Sequence, residues 1–297
     1  MTLVGTASTA DTGRPITTDV AGVYLFPAGF ERIIAALRAG IGRLGMADEY
    51  RALAIPPVIS RRLIEQAGYV KAFPHLLGTV HSFTGDARQW AQLVPLAESG
   101  GAWHAEQAIS DLVLLPAACY PAYATVAGAD LREPVRWFVS GTCFRQEATA
   151  ELGRFRSFRM VEYVTAGTED HCTGWRAGWL DRVAQWLAEL GLCPAVEVAD
   201  DPFFGPGRKL FQAAQRNQEL KLELKAELGP ERVQAIASAN YHKDHFGAGF
   251  GFTAGGEIGH TACMAFGLER IALALQHAHG PDLDGWPAAV RAGLDQP

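Results

Sequence analysis

The sequence predicts an α+β fold built around a mainly antiparallel sheet. Stretches rich in β-branched and aromatic residues recur along the chain, and amphipathic helical stretches lie between them. The chain has 297 residues, of which 48% are hydrophobic and 20% are charged. It is therefore long enough to bury a large core and too apolar to be mainly disordered.

The first residues lack the features of a signal peptide. They carry Asp11, Arg14 and Asp19 and have no apolar core segment. We predict a flexible leader over residues 1–22 and a single domain over residues 23–297.

Two helices are predicted at the start of the domain. Glu31–Met46 has apolar residues at helical spacing. Pro56 and Pro57 exclude a helix at that point, and Ser60 is a suitable N-cap for a second helix over Arg61–Ala67.

The middle of the chain predicts an antiparallel hairpin. Asp111–Pro116 has the character of a short apolar strand. Pro134–Phe144 alternates apolar and polar residues, the polar turn Gln146–Gly153 follows, and Phe155–Thr165 is again aromatic and β-branched.

Helices and strands continue to the end of the domain. Thr168 is a predicted N-cap, followed by acidic residues that suit a helix start. Further strands are predicted at Val196–Ala199, Leu220–Leu224 and Gln234–Tyr241, and a helix follows Gly267.

Charge and cysteine content exclude several classes of protein. The net charge is -6, whereas a general nucleic-acid binder needs a basic surface. The uncharged run Leu112–Ala129 contains two prolines and is weakly hydrophobic, so we predict no membrane span and a cytoplasmic location. The five cysteines are odd in number, which favours thiols or metal ligands over disulfides.

Two motifs suit phosphate binding. Arg145 and Glu147 lie two residues apart and would share one face of a strand, and Phe158 and Glu162 follow on the next strand. Cross-strand ion pairs on a solvated hairpin would explain the same residues. Gly267-Leu268-Glu269-Arg270 opens a helix, and helix starts bind anions readily. The alternative is an ordinary amphipathic helix with an exposed ion pair, which would show the same residues.

Cys119, Glu162 and Cys263 form a third candidate group. Two thiolates and a carboxylate are suitable zinc ligands and leave a fourth position open. Their wide spacing does not indicate a site, and buried structural cysteines are the alternative.

These motifs occur in the order found in class II aminoacyl-tRNA synthetases. Arg145-x-Glu147 with Phe158 resembles motif 2 of the seryl enzymes, the segment ending in GLER resembles motif 3, and Pro56-Pro57 lies where motif 1 ends. Seryl enzymes typically carry Pro-Thr-x-Glu where this chain has Ala117 and Cys119 in place of Thr and Glu. Similar replacements mark the zinc-dependent seryl enzymes of methanogens and the short amino acid:[carrier protein] ligases.

The short ligases resemble the chain best, from about Tyr24 to His279. The stretches that carry the resemblance are Ile55–Arg62, Tyr69–Val80, Asn240–Gly247 and His260–Arg270. The resemblance implies the class II catalytic domain, a six-stranded antiparallel sheet flanked by helices, and a homodimer formed through motif 1. It also implies activation of a small amino acid, glycine or alanine, by ATP and transfer to the phosphopantetheine thiol of a carrier protein.

The resemblance also assigns site residues. Arg145 would contact the α-phosphate, Phe158 and Arg270 would enclose the adenine, Arg270 would reach the γ-phosphate, and Glu147 would position the adenine. Arg154 or Arg156 would bind the outer phosphates. Glu257 would hold Mg²⁺ and phosphate, with His260 where seryl enzymes have Ser, and Cys119, Glu162 and Cys263 would bind Zn²⁺ and through it the substrate amine.

Two further groups have competing interpretations. His242 and Asp244 would share one face of a strand while His245 points away, which favours pocket lining over a metal site. A basic stretch suits either a solvated helix face or a docking surface for an acidic carrier protein. Its residues are Arg208, Lys209, Arg216, Lys221 and Lys225.

Two other functions are compatible with the motifs. One is a truncated seryl-type tRNA synthetase, although motif 1 begins by about Ala52 and leaves no room for a tRNA-binding domain ahead of it, so we expect no tRNA partner. The other is a non-catalytic paralogue that binds an amino acid or ATP.

Overall fold

A seven-stranded sheet lies at the centre of the computed structural model, which describes residues 13–147, 149 and 151–294. The strands are β1 (Ile16–Thr17), β2 (Tyr24–Leu25), β3 (Arg51–Ile55), β4 (Val58–Ser60), β5 (Thr79–Ser82), β6 (Ala108–Leu114), β7 (Asp130–Leu131), β8 (Val135–Phe144), β9 (Ser157–Gly167), β10 (Ala195–Val198), β11 (Lys221–Gly229), β12 (Arg232–Lys243), β13 (Thr253–Ala254), β14 (Glu257–Ile258) and β15 (His260–Gly267).

Ten α-helices accompany these strands in the described ranges. They are α1 (Ala28–Leu44), α2 (Arg61–Gln66), α3 (Tyr69–Ala72), α4 (Ala87–Glu98), α5 (Tyr120–Ala124), α6 (Glu169–Glu189), α7 (Arg208–Asn217), α8 (His245–Phe250), α9 (Leu268–His279) and α10 (Ala288–Gly293). Short 3-10 helices cover Trp103–Glu106 and Leu283–Gly285.

The order of strands confirms the α+β prediction. The central sheet runs β10-β11-β12-β15-β9-β8-β3. Its first six strands pair antiparallel, as the class II domain requires, and β3 adds a parallel edge strand beside β8. The sheet therefore has seven strands where the resemblance implied six.

One face of the sheet is covered by long helices. The buried residues of α1, α6 and α9 join Val161, Tyr163 and Phe266 of the sheet in one apolar core. Tyr163 stacks on Trp179 of α6 with ring centroids 4.0 Å apart, and its hydroxyl donates to the carbonyl of Ile41 at 2.8 Å. These contacts hold β9 against α1 and α6, because a buried hydroxyl needs a partner.

The opposite face carries shorter helices and the site. A second core lies between α2, α5, α8 and the strands β8 and β9, and it includes Tyr123, Trp137 and Phe246. Three-stranded sheets of order β4-β6-β5 and β14-β13-β7 border this side. Two adjoining cavities open on this face.

The two strands predicted as a hairpin pair as expected. β8 and β9 are antiparallel from Val135 opposite Ala166 to Phe144 opposite Ser157. Thr168 caps α6, accepting a hydrogen bond from the backbone N–H of His171 at 3.4 Å. Ser60 precedes α2, but its side chain makes no capping hydrogen bond.

The predicted leader is partly described. Residues 1–12 lie outside the described part of the chain, whereas β1 at Ile16–Thr17 pairs with β2 at Tyr24–Leu25. The hairpin thus begins ahead of the predicted boundary at residue 22, and the division into leader and domain stays a prediction. None of the described helices combines the length and apolarity that a bilayer crossing requires.

Candidate functional site

Strand register brings the site residues onto one face of the sheet. Glu162 on β9 is opposite Ala265 on β15, and Cys263 is opposite Asn240 on β12. Alternate residues of a strand point to the same face, so Glu162, Cys263 and Asn240 converge. The same face bears Glu223 of β11, which is opposite Ser238 of β12.

Cys119, Glu162 and Cys263 lie together as a buried trio. One ligand atom from each lies within 4.8 Å of the others, and the residues are between 1% and 4% exposed. The backbone N–H of Ala118 donates to Oε1 of Glu162 at 3.0 Å, which orients the carboxylate. Cys119 reaches the sheet because it precedes α5, which packs on that face.

The protonation chemistry of the trio suits a cation. The hydrogen bond with Cys263, burial and the Glu162 carboxylate all raise the pKa of the Cys119 thiol. The bond with Cys119 lowers the pKa of Cys263, but burial and Glu162 raise it overall, and burial raises the pKa of Glu162. Three buried acidic groups that repel one another in their charged forms match the ligand set of zinc, whose charge would stabilise the deprotonated forms.

Neighbouring side chains contact the Cys263 sulfur. The Asn240 amide donates to Sγ at 3.3 Å, and Nε2 of His242 lies 3.7 Å from Sγ. Burial lowers the pKa of His242 to about 4, so its ring is neutral near pH 7. Nδ1 of His242 is 3.0 Å from Oγ1 of Thr261, which fixes the orientation of the ring. His242 lines the cavity beside the trio together with Asp244 and His245, which matches the pocket lining predicted for this segment.

A second cavity begins next to the trio and holds the predicted nucleotide residues. Arg145, Glu147, Arg154, Phe158 and Arg270 all line it. The guanidinium of Arg145 lies over the Phe158 ring, 5.5 Å from the centroid, and its Nε donates to the carbonyl of Pro116 at 3.3 Å. These residues come from the end of β8, from β9 and from the start of α9, so the fold brings motifs 2 and 3 together.

Positive charges are concentrated in this cavity. Burial and the nearby charges of Arg154 and Arg145 lower the pKa of Arg270 to about 10. Arg270 is held by hydrogen bonds to the carbonyls of Gly153 at 2.8 Å and Ala235 at 3.0 Å. Three guanidinium groups around one cavity suit a polyphosphate, whose charge would offset their repulsion.

The structure distinguishes between the two loop arginines. Arg154 lines the nucleotide cavity, whereas Arg156 is absent from that lining among the described residues. The Arg156 backbone instead bonds to Gly22 at 2.7 Å and to Arg145 at 2.9 Å. Arg156 is half-buried, and because Arg154 borders the cavity, position favours Arg154 as the phosphate ligand.

Glu257 and His260 are not brought to the site. Glu257 is exposed on β14, where it pairs with Ala254, and it does not border the described nucleotide cavity. Nδ1 of His260 lies 2.5 Å from the Tyr241 hydroxyl at the start of β15. The role of Glu257 at a magnesium and phosphate site therefore stays a prediction, whereas Glu223 is one of the carboxylates that border the nucleotide cavity.

Glu269 of the GLER motif has a structural role. It is 1% exposed, and it accepts hydrogen bonds from the Arg159 side chain at 2.6 Å and from the Arg159 backbone at 2.9 Å. The exposed ion pair considered from the sequence is wrong for this residue, because the first turn of α9 faces the sheet.

Sequence reasoning missed an ion pair at the junction of the two cavities. Lys221 lines both, and its ammonium lies 2.7 Å from Asp201 and 3.3 Å from Glu223. The sequence places Lys221 in a basic stretch that suits a solvated helix face or a docking surface, but its side chain is only 14% exposed. The alternation of Lys221 and Glu223 on β11 was a signal for a shared face, although not for which face.

Three other residues of the basic stretch lie on the surface, whereas Lys225 is half-buried on β11 and forms an ion pair with Glu197. Arg208, Lys209 and Arg216 are exposed on α7, and Arg216 forms an ion pair with Asp200. Arg208 and Lys209 have no ion-pair partner within the described ranges, so their charges face solvent.

Known proteins resemble the chain over nearly its full length. It is 42% identical over 274 residues to amino acid–[acyl-carrier-protein] ligase 1 of Bradyrhizobium diazoefficiens. The aligned residues cover 91% of the chain and 84% of that protein. Ligase 2 of the same organism is 39% identical over 274 residues, which are 91% of the chain and 82% of that ligase. The type-2 serine–tRNA ligase of Methanococcus aeolicus is 30% identical over 193 residues, 60% of the chain and 36% of that protein.

Solved structures show the same fold. The M. kandleri seryl-tRNA synthetase, in complex with A. aeolicus tRNASec, has a TM-score of 0.79 and 20% identity. It covers 96% of the chain, which spans 58% of that synthetase. Seryl-tRNA synthetase of Pyrococcus horikoshii, complexed with ATP, has a TM-score of 0.61 and 16% identity. The match covers 88% of the chain and 54% of that synthetase. No protein-family model matches the chain.

Proposed function

The chain belongs to the family of amino acid–[acyl-carrier-protein] ligases, and from that premise we propose that it activates a small amino acid with ATP and transfers it to the phosphopantetheine thiol of a carrier protein. One observation carries the proposal. Two adjoining cavities share Arg145; one contains the nucleotide-type residues Phe158 and Arg270, and the other contains the trio of Cys119, Glu162 and Cys263.

In the nucleotide cavity, the protein would act mainly through positioning and charge. Phe158 offers a face for adenine, and Arg270, anchored to Gly153 and Ala235, offers a charge at a fixed position. Arg145 lies at the junction, where the α-phosphate must meet the amino acid carboxylate. Its guanidinium would offset the negative charge that develops on the phosphate in the transition state.

The carboxylates that border this cavity are Glu147, Glu223 and Glu269. Glu269 is engaged by Arg159 through its side chain and its backbone. Glu147 and Glu223 would therefore serve adenine and the Mg²⁺ that accompanies ATP, with the Lys221 ammonium 3.3 Å from Glu223. This proposal gives Glu223 the role that the sequence had suggested for Glu257.

The trio would bind zinc, and a bound zinc ion would supply an open coordination position for the neutral amine of the substrate. The Ala118 N–H and the Asn240 amide hold Glu162 and Cys263 in place. Met160 and Tyr120 line the same cavity. The choice of glycine or alanine as the substrate follows the family resemblance.

The carrier protein would dock on α7. Leu210 and Phe211 are 72% and 55% exposed there, next to the unpaired charges of Arg208 and Lys209. Apolar contacts surrounded by positive charge suit an acidic carrier protein. Reversal of both charges should slow carrier loading more than amino acid activation, whereas reversal of Arg88, an exposed charge on α4, is the matched control.

We also propose a homodimer, since β3, the motif 1 strand, lies at the edge of the sheet. Sedimentation of the purified protein at two concentrations tests this assembly, and a monomer at both would contradict it.

ATP–pyrophosphate exchange with each amino acid in turn tests the central proposal. Exchange with glycine or alanine, followed by loading of a phosphopantetheinylated carrier, is the expected result. Exchange with tRNA charging and no carrier loading would favour the synthetase function, and absence of exchange with every amino acid would favour a binding protein.

A further inference from the structure

Tyr69 of α3 is held rigidly beside the trio. Its ring centroid lies 5.2 Å from that of Phe73 and 5.8 Å from that of Tyr120, and the residue is 5% exposed. Both neighbours line the same cavity as Tyr69. Three packed aromatic rings leave the Tyr69 hydroxyl little freedom to move, so its position in the cavity is fixed by the fold.

The Tyr69 hydroxyl is a buried donor that lacks a partner. Among the described residues, its oxygen has no hydrogen bond. Burial raises the pKa of Tyr69 to about 12, against a smaller opposite effect of the nearby Arg145 charge, so the hydroxyl keeps its proton near neutral pH. Buried polar atoms in native proteins nearly always have a partner, and an unpaired one in a ligand cavity indicates a ligand acceptor.

The acceptor is inferred from the residues that share this cavity with Tyr69, which include Arg145 and the trio. The proposed substrate has its amine at the trio and its carboxylate at Arg145, where the cavities meet. One carboxylate oxygen attacks phosphorus, and the other stays on the acyl group. We propose that the Tyr69 hydroxyl donates a hydrogen bond to this retained acyl oxygen and stabilises it during thioester formation.

The transfer step explains why such a donor is useful. The thiol sulfur, after releasing its proton to solvent, bonds to the carbonyl carbon, and the carbonyl electron pair moves onto the acyl oxygen. That pair then re-forms the carbonyl as the carbon–oxygen bond to AMP breaks, and AMP leaves with the bonding electrons. Negative charge on the acyl oxygen is largest between these events, so a fixed O–H donor stabilises the transition state more than the adenylate.

The inference rests on the proposed function, and Tyr69→Phe separates the two. This substitution removes the oxygen and keeps the ring that packs on Phe73 and Tyr120. Tyr50→Phe is the matched control, because the Tyr50 hydroxyl is hydrogen-bonded to Trp179, and Tyr50 does not border either cavity among the described residues. Amino acid activation is followed by ATP–pyrophosphate exchange, and transfer by single-turnover reaction of the preformed adenylate with pantetheine.

We expect Tyr69→Phe to slow transfer to pantetheine about 100-fold. Exchange should fall less than about tenfold, since one hydrogen bond to a ground-state carboxylate is worth less. Equal transfer rates in the wild type and Tyr69→Phe would overturn the inference, as would equal losses in exchange and transfer together with a lowered unfolding temperature. Absence of exchange in the wild type would instead overturn the proposed function, and the inference with it.

Discussion

The ion pair between Arg159 and Glu269 should contribute strongly to stability. Arg159 Nε lies 2.6 Å from Glu269, its Nη1 lies 2.6 Å from Glu31, and its guanidinium lies 4.9 Å from the centre of the Phe26 ring. The Glu269 side chain is 2% exposed and that of Glu31 is 44% exposed. We predict that the two acidic partners have very different effects when they are removed.

Glu269→Ala takes away the buried partner. It leaves the Arg159 guanidinium, whose side chain is 17% exposed, with only the exposed Glu31, and it leaves the Arg159 backbone N–H without its acceptor. Breaking a buried pair on one side costs about 3–5 kcal/mol. For a chain of this length, that loss lowers the unfolding temperature by roughly 5–8 °C.

Urea unfolding of three variants measures the effect. Glu31→Ala should cost about 1 kcal/mol or less, because a half-exposed pair is screened by water. Glu269→Gln should lie between the two alanine variants, since its amide oxygen can still accept the Arg159 backbone N–H. A loss in Glu269→Ala no larger than that in Glu31→Ala would refute the reasoning that burial sets the strength of this pair.

Three other predictions follow from the site. We expect about one zinc ion per wild-type chain, and Cys119→Ala should abolish its binding because only two of the three protein ligands would remain. Metal analysis of the purified protein measures the zinc content, with Cys193→Ala, at an exposed thiol, as the control. Full zinc content in Cys119→Ala would contradict the ligand set. Arg154→Ala should raise KM for ATP by about tenfold because a phosphate contact is lost, while Arg156→Ala should change KM for ATP little. The kinetics of ATP–pyrophosphate exchange measure both values. Equal effects of the two substitutions would contradict the choice of Arg154 over Arg156 as the phosphate ligand. Burial raises the pKa of Asp201, but the Lys221 ammonium lowers it further, so the net pKa lies below its usual value. A carboxyl with a lowered folded pKa stabilises the fold above its unfolded pKa, and this contribution is lost as pH falls through the folded pKa. The free energy of unfolding of the wild type should therefore exceed that of Asp201→Asn near pH 7, and the difference should shrink below about pH 4. A difference that is constant with pH would contradict the lowered pKa of Asp201.

Local patterns predicted the elements that pack against the central sheet. The helical spacing over Glu31–Met46 and the alternation over Pro134–Phe144 match α1 and β8 to within a few residues. These elements have one buried face, so burial imprints a period on the sequence. By contrast, α4 buries no residue of its own, and α3 is only four residues long. Such segments carry little periodic signal, so the sequence predicts no element there.

Motif order predicted a set of nucleotide residues, and most but not all of them line one cavity in the described part of the chain. Arg145, Phe158 and Arg270 lie at strand ends and at a helix start that the sheet brings together. Glu257 lies ahead of the GLER motif in the sequence, yet it belongs to the short strand β14, which pairs with β13 rather than with the central sheet. Distance along the chain does not reveal a turn between two strands, whereas pairing does, and Glu223 enters the cavity through its pairing with Ser238.

The trio shows most clearly what sequence spacing omits. Glu162 and Cys263 lie on neighbouring strands, and Glu162 is opposite Ala265, two residues beyond Cys263. This diagonal placement on one face depends on register, since a shift of one residue would turn Cys263 toward the helices on the other face. Register is set in turn by the apolar neighbours Tyr163 and Met264, which pair with each other and are buried in the helical core. The packing of one face of the sheet therefore determines the ligand set on the other, so substitutions at Tyr163 or Met264 that shift the register should lower zinc binding without touching a ligand.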